Sequence, residues 1–580
     1  MSARRGGYWR LGILVLGLAV LAAAPRTRAA DPAWGRRGMV VSSAGPAAEA
    51  GREMLAAGGN AIDGAVATAF AAAVAHPFSS GIGGGGFILV HLGQTGEVFA
   101  VDAREVAPAA AHADMYLDAE GKVVPEASRV GGLAVAVPGL VQGLYEVHER
   151  FGRLAWGQLL RPAVRLAREG VSVGVYHRRI LQLAKPKLER FPETARIQLA
   201  EGEIPPLGWK LEQPELAHTL AAIAQWGPKV MHSGSVAEAM VKATREHGGV
   251  LTLEDLAGYR TRWRKPVRGT YRGLEIVSMP PPSSGGVHLI QMLNTLEPFD
   301  LASLGHNSSE AIHLVAESMK LAFADRAFHM GDPGFHTVPT QWLTSKAYGL
   351  ELAERLKPRP FWRRAPWRWG RSRVLRVERP GVPPPDDAGT THISVLDDEG
   401  NAVALTQTIN TLFGSGLTAP GKGIVLNNEM DDFSAAADAP NAYGLVGYNA
   451  NAVAPGKRPL SSMTPTIVLR DGRPWLVAGS PMGPFIITTV LQTLLNLVDF
   501  DLGIQAAVVA PRFHHQWQPD RLFLEPEHPR DVVERLEAWG HPVRVSEFHF
   551  GASVAILRDP ETGLFWGGVD PRRDGAAAGF

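Results

Sequence analysis

Cysteine is absent from all 580 residues. That excludes disulfides, thiolate nucleophiles, cysteine-based zinc sites and a lipoprotein anchor together. An excess of charge of either sign is also missing. Lys and Arg number 58 against 57 Asp and Glu, a formal net charge of +1, so no global field draws the chain to nucleic acid or to an anionic membrane. After the N-terminal segment no run is long and apolar enough to span a bilayer, so stable membrane insertion is not expected. What the N terminus does hold is a basic start (Arg4, Arg5, Arg10), an apolar stretch from Leu11 to Ala24, and small residues up to Ala29–Ala30 ahead of Asp31. This is the layout of a signal peptide. Residues 1–29 are expected to be removed, leaving a periplasmic or secreted protein.

The mature chain is rich in readable elements. Met39–Ser42 reads as a strand, followed by Ala-rich helices at Ala47–Ala57 and Ala61–Ala75 with a Gly58-Gly-Asn60 break between them. Gly81-Ile-Gly-Gly-Gly-Gly86 precedes an apolar strand, Phe87–Leu92. A phosphate loop would need Lys-Ser/Thr after the glycines. None follows, so a tight turn beside a site is the expected role. Residues 135–260 carry helical periodicity, Pro280-Pro-Pro-Ser-Ser-Gly-Gly286 a rigid turn before a helix, and Glu310–His329 a long amphipathic helix. Lys357 to Asp387 is crowded with Pro, Arg and Trp and reads as an exposed processing linker rather than a nucleic-acid arm.

The pattern then sharpens. Thr390–Leu396 alternates as a strand, Asp397-Asp-Glu-Gly-Asn401 is a turn, and Ala402–Asn410 is a second strand. A turn centred near Glu399–Gly400 pairs positions summing to about 799. Thr390 then faces Ile409, and a slip of one residue sets Thr408 or Asn410 directly across. A threonine inside a chain is a poor nucleophile. At a chain terminus its own α-amine can take the hydroxyl proton. A linker that meets a strand at Gly389–Thr390 is where cleavage would create such a terminus. His514–His515 has the look of a metal pair, but neighbours on a strand face opposite ways. No third ligand is evident, and no metal is expected.

Several motifs in order resemble the gamma-glutamyltransferase family, also called gamma-glutamyl transpeptidase or glutathione hydrolase, one of the N-terminal nucleophile hydrolases. They include Gly389-Thr-Thr-His-Ile-Ser-Val-Leu-Asp397, Leu426-Asn-Asn-Glu-Met-Asp-Asp-Phe-Ser434 and Lys457-Arg-Pro-Leu-Ser-Ser-Met-Thr-Pro-Thr466. Also matching are Gly58–Asp63, Gly83–Phe87, Asp102–Pro108, Pro280–Gly286, Leu321–Arg326, Ala510–His515 and Asp570–Arg573. The resemblance implies an α+β fold, a four-layer αββα sandwich. It implies self-cleavage between 389 and 390 into a large chain (30–389) and a small chain (390–580) that stay together as a heterodimer. Thr390 would be the nucleophile, with Thr408 beside its amine and hydroxyl. Arg104, Ser461 and Ser462 would hold the α-carboxylate of a γ-glutamyl donor, and Asn410, Glu429 and Asp432 its α-ammonium. Glutathione is the implied donor, water or an amino acid or dipeptide the acceptor, and no cofactor is needed. Tyr443, in the polar, glycine-rich Asn441–Gly447, resembles a lid over the donor site.

One segment departs from the family pattern. Two glycines usually follow Gly-Ser-Pro and supply the oxyanion N–H groups. Here the segment is Gly479-Ser-Pro-Met-Gly-Pro-Phe485, with Met482 in the first position and Gly483 in the second. A Cβ at 482 restricts the backbone, and loss of one oxyanion donor costs on the order of a hundredfold. With Pro484 following the second position, this departure leaves a weakly active or inactive homologue as one alternative; the other is an acylase for glutaryl-type β-lactam side chains. An acylase would have less use for an α-ammonium pocket.

Overall fold

The computed structural model describes residues 32–357 and 389–580. The signal segment and, apart from Lys357, the linker lie outside them. Two seven-stranded antiparallel sheets form the centre. The first runs Ala576–Gly579, Gly38–Ser42, Thr391–Asp397, Ala402–Thr408, Gly85–His91, Val98–Ala103, Arg262–Arg264. The second runs Ala33–Gly35, Phe565–Val569, Val554–Arg558, Arg473–Gly479, Thr466–Arg470, Leu274–Ser278, Val267–Tyr271.

Period-two alternation sorts the side chains of the first sheet into two cores. Val40, Ile88, Val90, Ile393, Val395, Val403 and Leu405 turn outward onto helices Gly45–Ala56 and Ala61–Ala75. Met39, Val41, Phe87, Leu89, Leu396 and Ala404 turn inward to meet Val277, Ile467, Val477 and Ile556 of the second sheet. The far face of that sheet packs on helices Gly285–Leu296, Ser309–His329 and Phe485–Val498. Helix, sheet, sheet, helix is the four-layer order. Truncating a residue such as Ile393, fully buried in the first core, would cost about 2–5 kcal/mol.

The motifs have local reasons. Asn60 caps helix Ala61–Ala75 by accepting from the Ile62 and Asp63 amides at 3.0 and 3.1 Å. Asp63 returns the bond to the Asn60 amide at 2.9 Å, a capping box. Asp397, at the end of strand Thr391–Asp397, accepts from the Ala61 amide of the same helix at 2.8 Å. Every residue of this helix is buried, and its alanines let it lie close to the sheet.

Candidate active site

The hairpin register is Thr391↔Gln407 through Leu396↔Ala402, so paired positions sum to 798. This is the one-residue slip that faces Thr390 with Thr408. Their hydroxyl oxygens are 2.9 Å apart. The Thr408 oxygen also accepts from the Asn410 amide at 2.8 Å, which fixes its position. Both strands end sooner than their alternation suggests, at Thr391 and Thr408. Thr390 and Asn410, just outside, have φ of 91° and 72°. Asparagine tolerates that region. For a β-branched threonine it is an outlier, of order 1–3 kcal/mol. It is held by a bond from the Thr390 amide to the Ser79 carbonyl at 3.0 Å, and Arg573 Nη1 donates to the Thr390 carbonyl at 2.9 Å.

The glycine run lies under this junction. A Cβ on Gly84 would sit 2.0 Å from the Thr408 carbonyl, and one on Gly85 would sit 2.4 Å from the Glu105 carboxylate. The run therefore lets backbone and a buried acid close in behind Thr408, as expected of a turn beside a site.

A pocket opens at Thr390. It is lined by Arg104, Thr408, Asn410, Glu429, Asp432, Tyr443, Ser461, Ser462, Met463, Gly483 and Ile486. Ten of the eleven residues singled out from the sequence meet there. The eleventh, Met482, turns its side chain into a neighbouring cleft.

Arg104 is the centre of the charge. Its guanidinium donates to Glu429 and to Asp432, the latter at 2.5 Å, and to the Pro459 carbonyl at 3.2 Å. Glu105, which is also fully buried, has a carboxylate oxygen 3.8 Å from it. Burial opposes the Arg104 charge, but Glu429, Asp432 and Glu105 outweigh it and hold the group protonated. Burial pushes the Glu105 carboxyl up to about 7, against the pull of Arg104. Burial, with the neighbouring Glu105 adding to it, pushes Glu429 well above the carboxylate range. The two acids thus keep a proton between them near neutrality. A second buried guanidinium, Arg326, donates to Ser284 Oγ at 3.1 Å and lies 3.5 Å from Ser462 Oγ. Burial lowers it to about 10. Two cations, three acids and one shared proton leave the pocket near neutral, which suits a zwitterion.

The serine pair is clamped from behind by the Pro280–Gly286 turn. Ser284 donates through its amide (2.8 Å) and hydroxyl (2.7 Å) to the Ser461 carbonyl, and the Ser461 amide donates to the Pro282 carbonyl at 2.9 Å. Asn441 Nδ2 donates to Asp432 at 3.2 Å, and the Ala442 amide to Asp431 at 2.7 Å. These bonds tie the root of the Asn441–Gly447 loop to the pocket. Tyr443 is buried, and its hydroxyl donates to the Asn410 carbonyl at 2.9 Å. Its ring lies where a Cβ on Gly483 would be, 2.7 Å away.

Met482 does not prevent the glycine-like turn. Its φ is 95° and that of Gly483 is 51°. The Met482 sulfur accepts the Gly551 amide at 3.1 Å, which helps hold a conformation costing about 1–3 kcal/mol. Among the described residues neither the Met482 nor the Gly483 N–H is taken by a protein acceptor.

His514 and His515 are fully buried. His514 contacts Thr488 and Gln516 at 2.9 and 3.0 Å, while His515 faces Asp520 at 3.2 Å. Sequence reasoning named neither Glu105, Arg326, Arg573 nor Ser79. The first three lie in the quoted motifs Asp102–Pro108, Leu321–Arg326 and Asp570–Arg573, which was the available signal.

The family model described as Gamma-glutamyltranspeptidase matches residues 47–580. The glutathione hydrolase proenzyme of Escherichia coli K12 is 43% identical over 552 residues, covering 95% of this chain and 93% of that one. The acylase ACY 1 proenzyme of Pseudomonas sp. SE83 is 39% identical over 556 residues, 94% of each. Among solved structures, the cephalosporin acylase from Bacillus halodurans superposes with a TM-score of 0.81 at 29% identity, covering 96% of this chain and 98% of that one.

Proposed function

The chain belongs to the gamma-glutamyltranspeptidase family, and from that premise we propose that it cuts itself before Thr390 and then transfers γ-glutamyl groups. Glutathione and related γ-glutamyl compounds are the donors; water, amino acids or short peptides are the acceptors. The observation that carries this reading is the convergence of Thr390, Thr408, Gly483 and a charge-balanced pocket on one point.

In processing, Thr390 Oγ1 attacks the Gly389 carbonyl carbon. The peptide C–N bond breaks, the amine is released onto Thr390, and an ester forms at Oγ1. Water then hydrolyses the ester and frees the terminus. Strain at a φ of 91° raises the ground state of that bond and is relieved on cutting. In turnover the Thr390 α-amine takes the hydroxyl proton, with the Thr408 hydroxyl holding the oxygen at 2.9 Å. Arg104, Ser461 and Ser462 bind the α-carboxylate, and Asn410, Glu429 and Asp432 bind the α-ammonium. The donor thereby inserts both its charges between partners that already face each other. The Met482 and Gly483 amides receive the oxyanion. Tyr443 closes over the acyl-enzyme and shields its ester from water.

The N-terminal basic, apolar and small-residue segment supports export to the periplasm or beyond. Among the described residues no helix is long and apolar enough to cross a membrane. The acylase relatives support a second reading, a glutaryl donor. It lacks the α-ammonium that Asp432 and Glu429 would bind. Purified protein run on a denaturing gel, with N-terminal sequencing of the smaller band, tests the processing. A start other than Thr390 refutes it.

A further inference from the structure

The proposed oxyanion amides belong to two peptide units, Pro481–Met482 and Met482–Gly483. Both are trans, so each carbonyl points opposite to the N–H of its own plane, and fixing the one aims the other. The Met482 carbonyl accepts from the Phe485 amide at 3.1 Å, at the start of helix Phe485–Val498. That aims the Gly483 N–H. The Pro481 carbonyl lies ahead of the helix and is held by a side chain instead: Ser480 Oγ donates to it at 2.9 Å. That aims the Met482 N–H. Ser480 Oγ in turn accepts from the Ala552 amide at 3.1 Å, next to the Gly551 amide that donates to the Met482 sulfur. Two consecutive amides thus grip the turn, one through Ser480 and one through Met482.

The gripping segment is itself fixed. Phe550 to Ser553 is buried. Phe550 stacks on Phe485, with ring centroids 4.7 Å apart and planes 8° from parallel, and its carbonyl accepts from Arg512 Nη1 at 2.7 Å. The Ser553 amide donates to Asp570 at 3.1 Å. Gly551 has a φ of 63°, and a Cβ there would meet Thr489 Oγ1 at 2.4 Å and Ser480 Oγ at 2.7 Å. Its lack of a side chain lets the segment come this close to the turn.

We propose that Ser480 and the Met482 thioether are positioning groups for the reaction: anchored by the Ala552 and Gly551 amides, they hold the oxyanion N–H groups on target. The inference rests on the γ-glutamyl transfer proposed above. A glycine at 482 would adopt a φ of 95° without a brace. A methionine pays for that φ, and its own sulfur supplies the brace that its Cβ makes necessary.

The test uses processed enzyme and a chromogenic γ-glutamyl anilide, with each rate normalised to the small chain on a denaturing gel. M482L keeps the bulk and loses the acceptor for the Gly551 amide. M482Q keeps an acceptor at about the same reach. M482L and S480A should each lower kcat at least about tenfold with KM for the anilide little changed, because an oxyanion donor acts in the transition state. M482Q should turn over at least about fivefold faster than M482L, a rescue that bulk alone does not supply. A boronic acid analogue of the γ-glutamyl group, which becomes tetrahedral on the Thr390 hydroxyl, should lose affinity in step with kcat, while inhibition by free glutamate holds. Should M482L stay uncut, S480A decides by the same readouts. Wild-type kcat in M482L and S480A, or boronate and glutamate affinities that fall together, overturn the brace alone. Absence of any donor turnover in wild type overturns the underlying reading as well.

Discussion

Replacing Arg104 by lysine keeps a cation in the donor pocket and removes the planar fork. Arg104 spreads its donors over Glu429, Asp432 and the Pro459 carbonyl. An ammonium is a point charge and cannot reach that many acceptors while also gripping a carboxylate. Loss of one charge-assisted hydrogen bond to the donor is worth about 1.5–3 kcal/mol. At about 1.4 kcal/mol per factor of ten, kcat/KM for a γ-glutamyl donor should fall roughly 10- to 150-fold. Alanine is the worse choice, because it leaves the buried Glu105 and Glu429 and the partly buried Asp432 facing no cation at this position, a change of about 3–5 kcal/mol in the fold itself. The assay uses three anilides. The γ-glutamyl compound has both charges, the glutaryl compound only the carboxylate, and the 4-aminobutyryl compound only the ammonium. R104K should depress the first two and spare the third. Asp432→Asn should depress the first and third and spare the second. Self-cleavage should slow far less in R104K, since the Gly389–Thr390 bond brings no α-carboxylate. Equal losses on all three anilides, or processing impaired as much as turnover, would show Arg104 to be scaffold.

Thr390→Ala should remain a single chain on a denaturing gel; cleavage at the same bond would assign the cutting to another nucleophile. Thr408→Val should slow both processing and anilide release by at least about tenfold, and leaving the buried Asn410 amide unpaired should cost about 1–3 kcal/mol in thermal unfolding. Thr408→Ser should restore most of both, and a valine variant with wild-type rates would remove Thr408 from the mechanism. Tyr443→Ala should move product toward hydrolysis when an acceptor dipeptide is present, with total donor consumption changing less; an unchanged product ratio sinks the lid. Glu105 is held near 7 in the fold against about 4.3 unfolded, so the folded state binds the extra proton. Its contribution is complete below the unfolded value and is lost as pH rises through about 7. The Tm of the uncut Thr390→Ala chain should fall between pH 5 and 8, and Glu105→Gln should flatten that slope.

The sequence carried what is local. The Asn60 cap, the helix at Ala61–Ala75 and the Thr390–Asn410 hairpin follow from residue type and period, and the register missed by a single residue because the turn alone sets it. What could not be read is what depends on distant segments meeting. Glu105 matters because Gly85 and Glu429 close over it, and Arg326 because Ser284 and Ser462 lie within its reach. From the sequence, the Cβ of Met482 restricts its turn. Its φ of 95° is tolerated because the Gly551 amide, far along the chain, binds its sulfur.

Strands from before and after Gly389 alternate in the first sheet: Ala576–Gly579, Thr391–Asp397 and Ala402–Thr408 are interleaved with Gly38–Ser42 and Gly85–His91. Until the cut, these segments find one another within one molecule, at an effective concentration set by the tether. After the proposed cut before Thr390, the same sheet would join two molecules. The uncut precursor should therefore refold from denaturant independently of dilution. The processed pair, once unfolded, must reassemble by collision, and each half would expose unpaired strand edges while it waits. Its persistence would then rest on the height of the barrier to coming apart rather than on a reversible equilibrium.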